Sequence, residues 1–446
     1  MGTLFGTDGI RGVANEDLSP ELAFRLGRAA ACYFTCNISH PRIVIGRDTR
    51  ISGDMLEGAF LAGACSIGAD VLKVGIIPTP AVAFLTRQLN AQMGVMISAS
   101  HNPIGDNGIK LFSHEGYKLP DEDEERIEEL VLAPEDTLPR PVGEDLGRVT
   151  PVLIAEDMYC DHVKKSVGGS LTGIKVVLDC AFGAAFRLAP RIFTELGASV
   201  IALHDEPDGL RINVQCGSTN MGHLKKVILA KGASAGLAFD GDADRCLAVD
   251  EMGKFVDGDQ ILTIAARFLK ESGKLGPDVL VATVMSNLGM EQALDSMGIK
   301  LIRTKVGDRH VIEEMKRRGA LIGGEQSGHI ILLEHNTTGD GIATAVLLAR
   351  ILKESGKPLH ELAACMKHMP QLLVNVKARH KDRLSDDEDI SAAIKETEEL
   401  LKDRGRLLVR PSGTEPLIRV MAEGPDEKEL NEVVGKIASV IADKLG

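Results

Sequence analysis

Short β-branched runs that end in glycine or a polar turn, each followed by a helical stretch, recur along most of this chain. Arg42–Gly46 is one such run, and small and apolar residues follow it at helical spacing from Ser52 to Ile67. Val71–Ile77, stopped by Pro78 and Pro80, and Gly94–Ser98 continue the rhythm. It restarts at Ile174–Leu178, with a helix expected over roughly 184–196 and strands at Ser199–Leu203 and Leu237–Phe239. Asp278–Thr283 and Ile299–Arg303 belong to a third set, with helices expected around 258–271 and 308–318. This alternation argues for an α/β fold, a parallel sheet with helices on its faces, used three times. After Pro370 the pattern changes. Leu372–Lys377, a charged helical stretch near 387–402 and Arg406–Val409 predict a smaller α+β unit. The Pro- and Gly-containing segment Ala133–Gly143 reads as a linker. The expected domains are therefore 1–150, 151–255, 256–368 and 369–446.

Composition removes several functions. The 446 residues carry a net charge of −13 and only 3% aromatic residues, with no Trp. A phosphate-backbone binder or base-stacking surface is not expected, so no nucleic acid partner is either. Asp8 and Arg11 precede any apolar run, so no signal peptide is expected, and the longest apolar stretch, near Ile342–Leu352, is too short for a membrane span. The eight cysteines form no C-x-x-C pair, which fits reduced thiols in a cytoplasmic protein.

Four polar motifs, each after a strand, carry the chemistry. Ligands of open α/β sheets collect at the carboxyl ends of strands, so this placement matters. The first is Ser98-Ala99-Ser100-His101-Asn102-Pro103, followed by Asp106–Lys110. Ser100 could act as a nucleophile or carry a phosphoryl group, with His101 and Lys110 managing protons and charge, although the string alone also suits a capped turn. The second is Asp240-Gly241-Asp242-Ala243-Asp244-Arg245 between apolar flanks. Three carboxylates at every second position of an extended loop share one side and repel, so a cation is expected; all-oxygen ligation selects Mg²⁺, Mn²⁺ or Ca²⁺ over Zn²⁺.

The third motif runs Gly323-Gly324-Glu325-Gln326-Ser327-Gly328-His329. Glu325 and Ser327 are an acceptor and a donor suited to neighbouring sugar hydroxyls, and the glycines allow close approach. The fourth is Arg410-Pro411-Ser412-Gly413-Thr414-Glu415-Pro416, with Arg419 beyond. The Arg410 fork, Ser412, Thr414 and the backbone around Gly413 suit an anion. Lys305 and Arg309 read equally well as ligand contacts and as surface ion pairs.

Taken together and in this order, the four motifs resemble the phosphoserine, metal, sugar and phosphate loops of the α-D-phosphohexomutase superfamily. Within it, Gly6–Gly12, Gln326 in the third motif and Arg410–Pro416 are most similar to the bacterial branch acting on glucosamine phosphates. Phosphomannomutase/phosphoglucomutase relatives, the alternative, usually carry Met at the place of Gln326. The resemblance implies three similar α/β domains with mixed sheets and a smaller C-terminal α+β domain, four domains around a central cleft. It implies interconversion of glucosamine 6-phosphate and glucosamine 1-phosphate, towards UDP-N-acetylglucosamine. One Mg²⁺ would bind to Asp240, Asp242, Asp244 and phosphorylated Ser100. Glucosamine 1,6-bisphosphate or glucose 1,6-bisphosphate would activate. Arg11, His101 and Lys110 would join Ser100 in catalysis. Arg245, Lys305, Arg309, Glu325, Ser327, His329, Arg410, Ser412, Gly413, Thr414 and Arg419 would hold a hexosamine phosphate. A homodimer is left open. A Mg²⁺-dependent sugar phosphatase would need no Arg410 loop, and a silent sensor would be expected to lack Ser100 or an aspartate.

Overall fold

The computed structural model describes residues 4–6, 8–35, 38–402, 404–412 and 416–446. The chain forms two compact units. One comprises Met1–Met285 and Leu301–Ala364, the other Ser286–Lys300 and Cys365–Gly446.

The first unit holds three sheets of seven, five and four strands. In each, a central strand has a parallel neighbour on one side and an antiparallel return strand on the other. Met93–Ile97 runs parallel to Arg42–Arg47 and antiparallel to Asp106–Ser113. Ala235–Phe239 runs parallel to Lys175–Asp179 and antiparallel to Cys246–Asp250. Ile322–Gly324 runs parallel to Val279–Thr283 and antiparallel to Ile330–Leu332. The sheets are therefore mixed, where the alternation of strands and helices alone argued for parallel ones. The return strands account for the difference. Asp106–Ser113 begins with the polar residues Asp106, Asn107 and Gly108 and so reads as a loop in sequence.

The expected elements otherwise match closely. Helices occupy Gly258–Glu271 and Asp308–Arg318, and the first is entered through a capping box between Asp257 and Gln260. The helix over 184–196 is shorter, Leu188–Glu195. Pro20–Thr35 is a helix, with Ser19 Oγ accepting from the Leu22 N–H.

The second unit is a three-stranded antiparallel sheet, in which Leu417–Glu423 lies between Gln371–Lys377 and Arg406–Pro411. Helices Glu388–Leu401 and Glu427–Leu445 pack on it through Ile390, Leu401, Val434, Ile437 and Ile441. Asn287 belongs here, its side chain bonding the backbone N–H and C=O of Met369 at 2.9 and 3.0 Å.

A large core lies beneath the first sheet, where helices Pro20–Thr35 and Gly53–Cys65 cross with their backbones nearly touching. A Cβ added to Gly63 would lie 2.2 Å from the Phe24 carbonyl oxygen, and one added to Gly27 would lie 2.4 Å from that of Phe60. Both obstacles are backbone, so neither can turn aside. Gly63→Leu should therefore lower stability by about 3 kcal/mol or more, measured by urea denaturation. An unchanged midpoint would mean that the helices can separate freely.

Candidate active site

Three of the motifs are turns of antiparallel hairpins, and the fourth lies between two paired antiparallel strands. The Ser100 loop joins Met93–Ile97 to Asp106–Ser113, and the aspartate loop joins Ala235–Phe239 to Cys246–Asp250. Glu325–His329 joins Ile322–Gly324 to Ile330–Leu332. The fourth motif joins Arg406–Pro411 to Leu417–Glu423. Gly413 and Thr414 lie outside the described residues.

Ser100 is fully buried and has φ +53°, an uncommon conformation for a residue with a side chain. The fold fixes it from both sides. Its N–H donates to Ser98 Oγ at 2.9 Å, and Ser98 Oγ donates to Asp48 Oδ2 at 2.5 Å. Its carbonyl accepts from Arg50 Nη2 at 3.0 Å and from Asn213 Nδ2 at 2.8 Å. Arg50, also fully buried, donates through Nε to Asp48 and through its two terminal nitrogens to the carbonyls of Ser100, Asn102, Pro103 and Asp106. Those are five bonds from a group with five N–H donors. Asp48, Arg50 and Asn213 escaped sequence reasoning. The available signal was position, since Asp48-Thr49-Arg50 directly follows a buried strand.

Ser100 Oγ donates to Asp240 Oδ2 at 2.6 Å and lies 3.3 Å from His101 Nδ1. Arg245 Nη1 lies 3.1 Å from the same ring nitrogen. Because Arg only donates, His101 Nδ1 presents its lone pair there. Burial, then the charges of Arg245 and Arg11, push this imidazole down to about 4.

The three aspartates come together as the sequence suggested, with one oxygen from each within 4.8 Å of the others. Burial, then Asp244 and Asp242, push the Asp240 carboxyl well above the usual range. Lys110 Nζ donates to Asp242 Oδ2 at 2.8 Å and lies 3.5 Å from Asp244. Thr79 Oγ1 also donates to Asp242 Oδ2, at 2.6 Å. Asp242 Oδ1 and Asp244 Oδ1 are buried and make no hydrogen bond among the described residues. Hard oxygen donors in excess of their local cations, two of them unsatisfied, fit a divalent cation such as Mg²⁺.

Around this loop runs a closed ring of alternating charge. Asp244 faces Lys110 at 3.5 Å, and Lys110 faces Asp8 at 3.4 Å. Asp8 pairs with Lys118, and Lys118 with Asp308 at 2.8 Å. Asp308 and Asp244 each lie 3.5 Å from one nitrogen of His329. Burial opposes the charge on Asp8, but Lys110, Lys118 and Arg11 outweigh it and hold its carboxyl well below the usual range. For Lys110 burial is likewise overcome, by Asp242, Asp8 and Asp244, which raise its ammonium above the ordinary value.

Arg11 joins the same group, paired with Asp8 and donating to Asn102 Oδ1 at 3.4 Å. Glu325 Oε1 accepts from the Gly307 N–H at 3.2 Å, and Ser327 lies against Glu325. Gln326 donates to Asp257 at 3.2 Å. Arg309 pairs with Asp121 and Glu124 and donates to the Leu119 carbonyl, while Lys305 stands exposed after its strand.

In the second unit, Arg410 and Arg419 sit directly opposite each other on paired strands, which puts both side chains on one face. Burial and the neighbouring Arg419 charge hold the Arg410 guanidinium below its ordinary value. Ser412 is buried, and its carbonyl accepts from Lys381 at 2.6 Å.

Comparison with known proteins agrees with this architecture. The chain matches the four phosphoglucomutase/phosphomannomutase domain models in order. The α/β/α domains I, II and III match residues 2–137, 157–253 and 257–369, and the C-terminal domain matches 373–440. It is 59% identical over 440 residues to a phosphoglucosamine mutase of Moorella thermoacetica, covering 99% of both chains. It is 53% identical over 446 residues to that of Geobacillus thermodenitrificans, covering 100% of both. A crystal structure of a phosphoglucomutase/phosphomannomutase family protein from Burkholderia thailandensis superposes with a TM-score of 0.83 at 23% identity, covering 99% of this chain and 98% of that one. An Aspergillus fumigatus N-acetylphosphoglucosamine mutase, in complex with GlcNAc-6P and magnesium, gives 0.71 at 19% identity, covering 99% and 96%.

Arg50→Ala would remove one donor from each of four loop carbonyls and leave Asp48 a buried charge without its cation. It should cost about 3–5 kcal/mol of stability, read from denaturant unfolding, and Arg50→Lys should recover only part of it. Full recovery by Lys would show that charge alone, not the five-bond clamp, matters.

Proposed function

This chain belongs to the phosphoglucomutase/phosphomannomutase family, on its phosphoglucosamine mutase branch, and we propose that it interconverts glucosamine 6-phosphate and glucosamine 1-phosphate through a phosphoryl group on Ser100. The observation that carries this reading is the clamped Ser100, with Oγ 2.6 Å from an aspartate of a buried carboxylate triad. A hydroxyl held that rigidly beside a cation site suits in-line phosphoryl transfer, which depends on positioning and charge neutralisation.

In the forward direction a sugar hydroxyl attacks phosphorus as the bond from phosphorus to Ser100 Oγ breaks, giving glucosamine 1,6-bisphosphate. The hydroxyl proton needs an acceptor. His101 is assigned that role from its place 3.3 Å from Ser100 Oγ, with Arg245 giving up Nδ1 as the proton is taken. Lys110, held as an ammonium among three carboxylates, supplies positive charge instead, and Arg11 and Arg245 add to it. Asp240, Asp242 and Asp244 would hold one Mg²⁺, which when bound neutralises phosphoryl oxygen charge. The bisphosphate then turns end for end and returns its other phosphoryl group to Ser100.

Glu325, Ser327 and His329 are assigned to the sugar, with Lys305 and Arg309 as further contacts. Arg410, Ser412, Gly413, Thr414 and Arg419 are assigned to the phosphate that is not reacting. Two arginines paired across neighbouring strands put two bidentate donors on one face, which supports that assignment. Glucosamine 1,6-bisphosphate or glucose 1,6-bisphosphate would prime Ser100. No helix among the described residues is long and apolar enough to cross a membrane, and the reaction is assigned to the cytoplasm.

A coupled assay offering glucosamine, glucose and mannose 6-phosphates in parallel tests the substrate. Glucosamine 6-phosphate should be preferred, and a strong preference for mannose or glucose would move the chain to the phosphomannomutase/phosphoglucomutase reading. Ser100→Ala should lower turnover by at least about 10³-fold and remove the phosphoryl mass from the peptide containing residue 100. A fully active Ser100→Ala enzyme would sink the mechanism.

Asp242→Asn should weaken Mg²⁺ binding by at least about tenfold in isothermal titration while leaving the far-ultraviolet circular dichroism unchanged. Activity that persists undiminished in excess chelator would remove the metal assignment.

A further inference from the structure

The second sheet carries a polar cluster that phosphoryl transfer does not use. Asp179 ends the strand Lys175–Asp179, His204 directly follows Ser199–Leu203, and Cys216 precedes the short turn before the helix Gly222–Lys231. One carboxylate oxygen of Asp179, one ring nitrogen of His204 and the Cys216 sulfur all lie within 4.8 Å of one another. Asp179 and Cys216 are fully buried.

Asp179 has one oxygen occupied and one idle. Oδ1 accepts from the Ala181 N–H at 3.0 Å and faces His204 Nδ1 at 2.8 Å. Oδ2 is buried and makes no hydrogen bond among the described residues. An idle buried carboxylate oxygen is an exception in folded proteins and calls for a partner. Cys216 packs with Ala181 and Phe182, so apolar filling would account for the sulfur. It does not account for Asp179 Oδ2. On the other side of the ring, His204 Nε2 meets His223 Nδ1 at 3.3 Å. An imidazole whose second nitrogen is already bonded is oriented in the way a metal-ligating histidine is.

We propose that Asp179, His204 and Cys216 bind a divalent transition metal, and that zinc is the ion they select. Thiolate and imidazole donors favour zinc, whereas the all-oxygen set of Asp240, Asp242 and Asp244 favours magnesium. Binding replaces the S–H bond of Cys216 by a bond from sulfur to zinc and releases the proton to solvent. Zinc would take these three side chains and a water as its four ligands. It would pin the loop that carries Asn213, whose side chain donates to the Ser100 carbonyl.

The test uses the full-length protein, stripped with chelator and returned to saturating Mg²⁺ so that the aspartate loop is filled. Titration with Co²⁺ should give one equivalent bound with a thiolate-to-cobalt charge-transfer band in the near ultraviolet. Zn²⁺ should displace the cobalt, abolish the band and raise Tm. Cys216→Ser should remove the band, and His204→Gln and Asp179→Asn should each weaken binding by at least about tenfold. If Cys216→Ser does not fold, the other two variants, checked by circular dichroism, decide. A wild-type protein that gives no band, a band that survives Cys216→Ser, or affinities unmoved by His204→Gln and Asp179→Asn would overturn the assignment.

Discussion

The ring of alternating charge around the aspartate loop joins the three sheets of the larger unit. Asp8, Lys110 and Lys118 come from the first, Asp244 from the second, and Asp308 and His329 from the third. Buried ions of this kind lose hydration that only good partners restore, and removing one member strands its neighbours. Each sheet therefore supplies charges that the other two leave unbalanced. The ring does not neutralise the loop completely, because Asp240 and Asp242 lie beside it, with Lys110 paired to Asp242 and the Arg245 charge acting on Asp240. The remaining negative charge is what a bound cation would offset, so that an anionic phosphoryl group could approach the loop. Structural and chemical requirements thus meet in one set of residues.

A pair of antiparallel strands frames each of the four motifs. In the three sheets of the larger unit a parallel pair brings a central strand to its carboxyl end, the chain turns, and an antiparallel return strand fixes the turn; in the smaller unit the sheet is antiparallel throughout. Because register pins both sides of each loop, short polar sequences can be held without helical support. Phe239 opposite Cys246 and Gly324 opposite Ile330 close two of these turns directly behind their motifs.

Much of this was legible in sequence where burial is simple. Buried strands announce themselves as β-branched runs, so Arg42–Gly46 and Asp278–Thr283 were readable, and the helix Asp308–Arg318 followed from its apolar spacing. The return strand Asp106–Ser113 was not, because it opens with Asp-Asn-Gly, the composition of a turn. In the site, Ser100 and the three aspartates were readable because they sit in compact motifs. Asp8, Asp48, Arg50, Asn213 and Asp308 act through partners distant in the chain, and a pairing such as Arg50 with the Ser100 carbonyl leaves no local pattern. The cross-strand opposition of Arg410 and Arg419 likewise depends on register.

The Ser100 carbonyl oxygen accepts one bond from the first sheet's Arg50 and one from the second sheet's Asn213. Its hydroxyl meanwhile reaches across to Asp240. A hinge between these two sheets would tear the Asn213 and Asp240 bonds from Ser100 at once. Mechanically, the serine is a rivet through two plates. Any opening and closing that the proposed reaction requires must therefore bend the molecule somewhere other than at this joint.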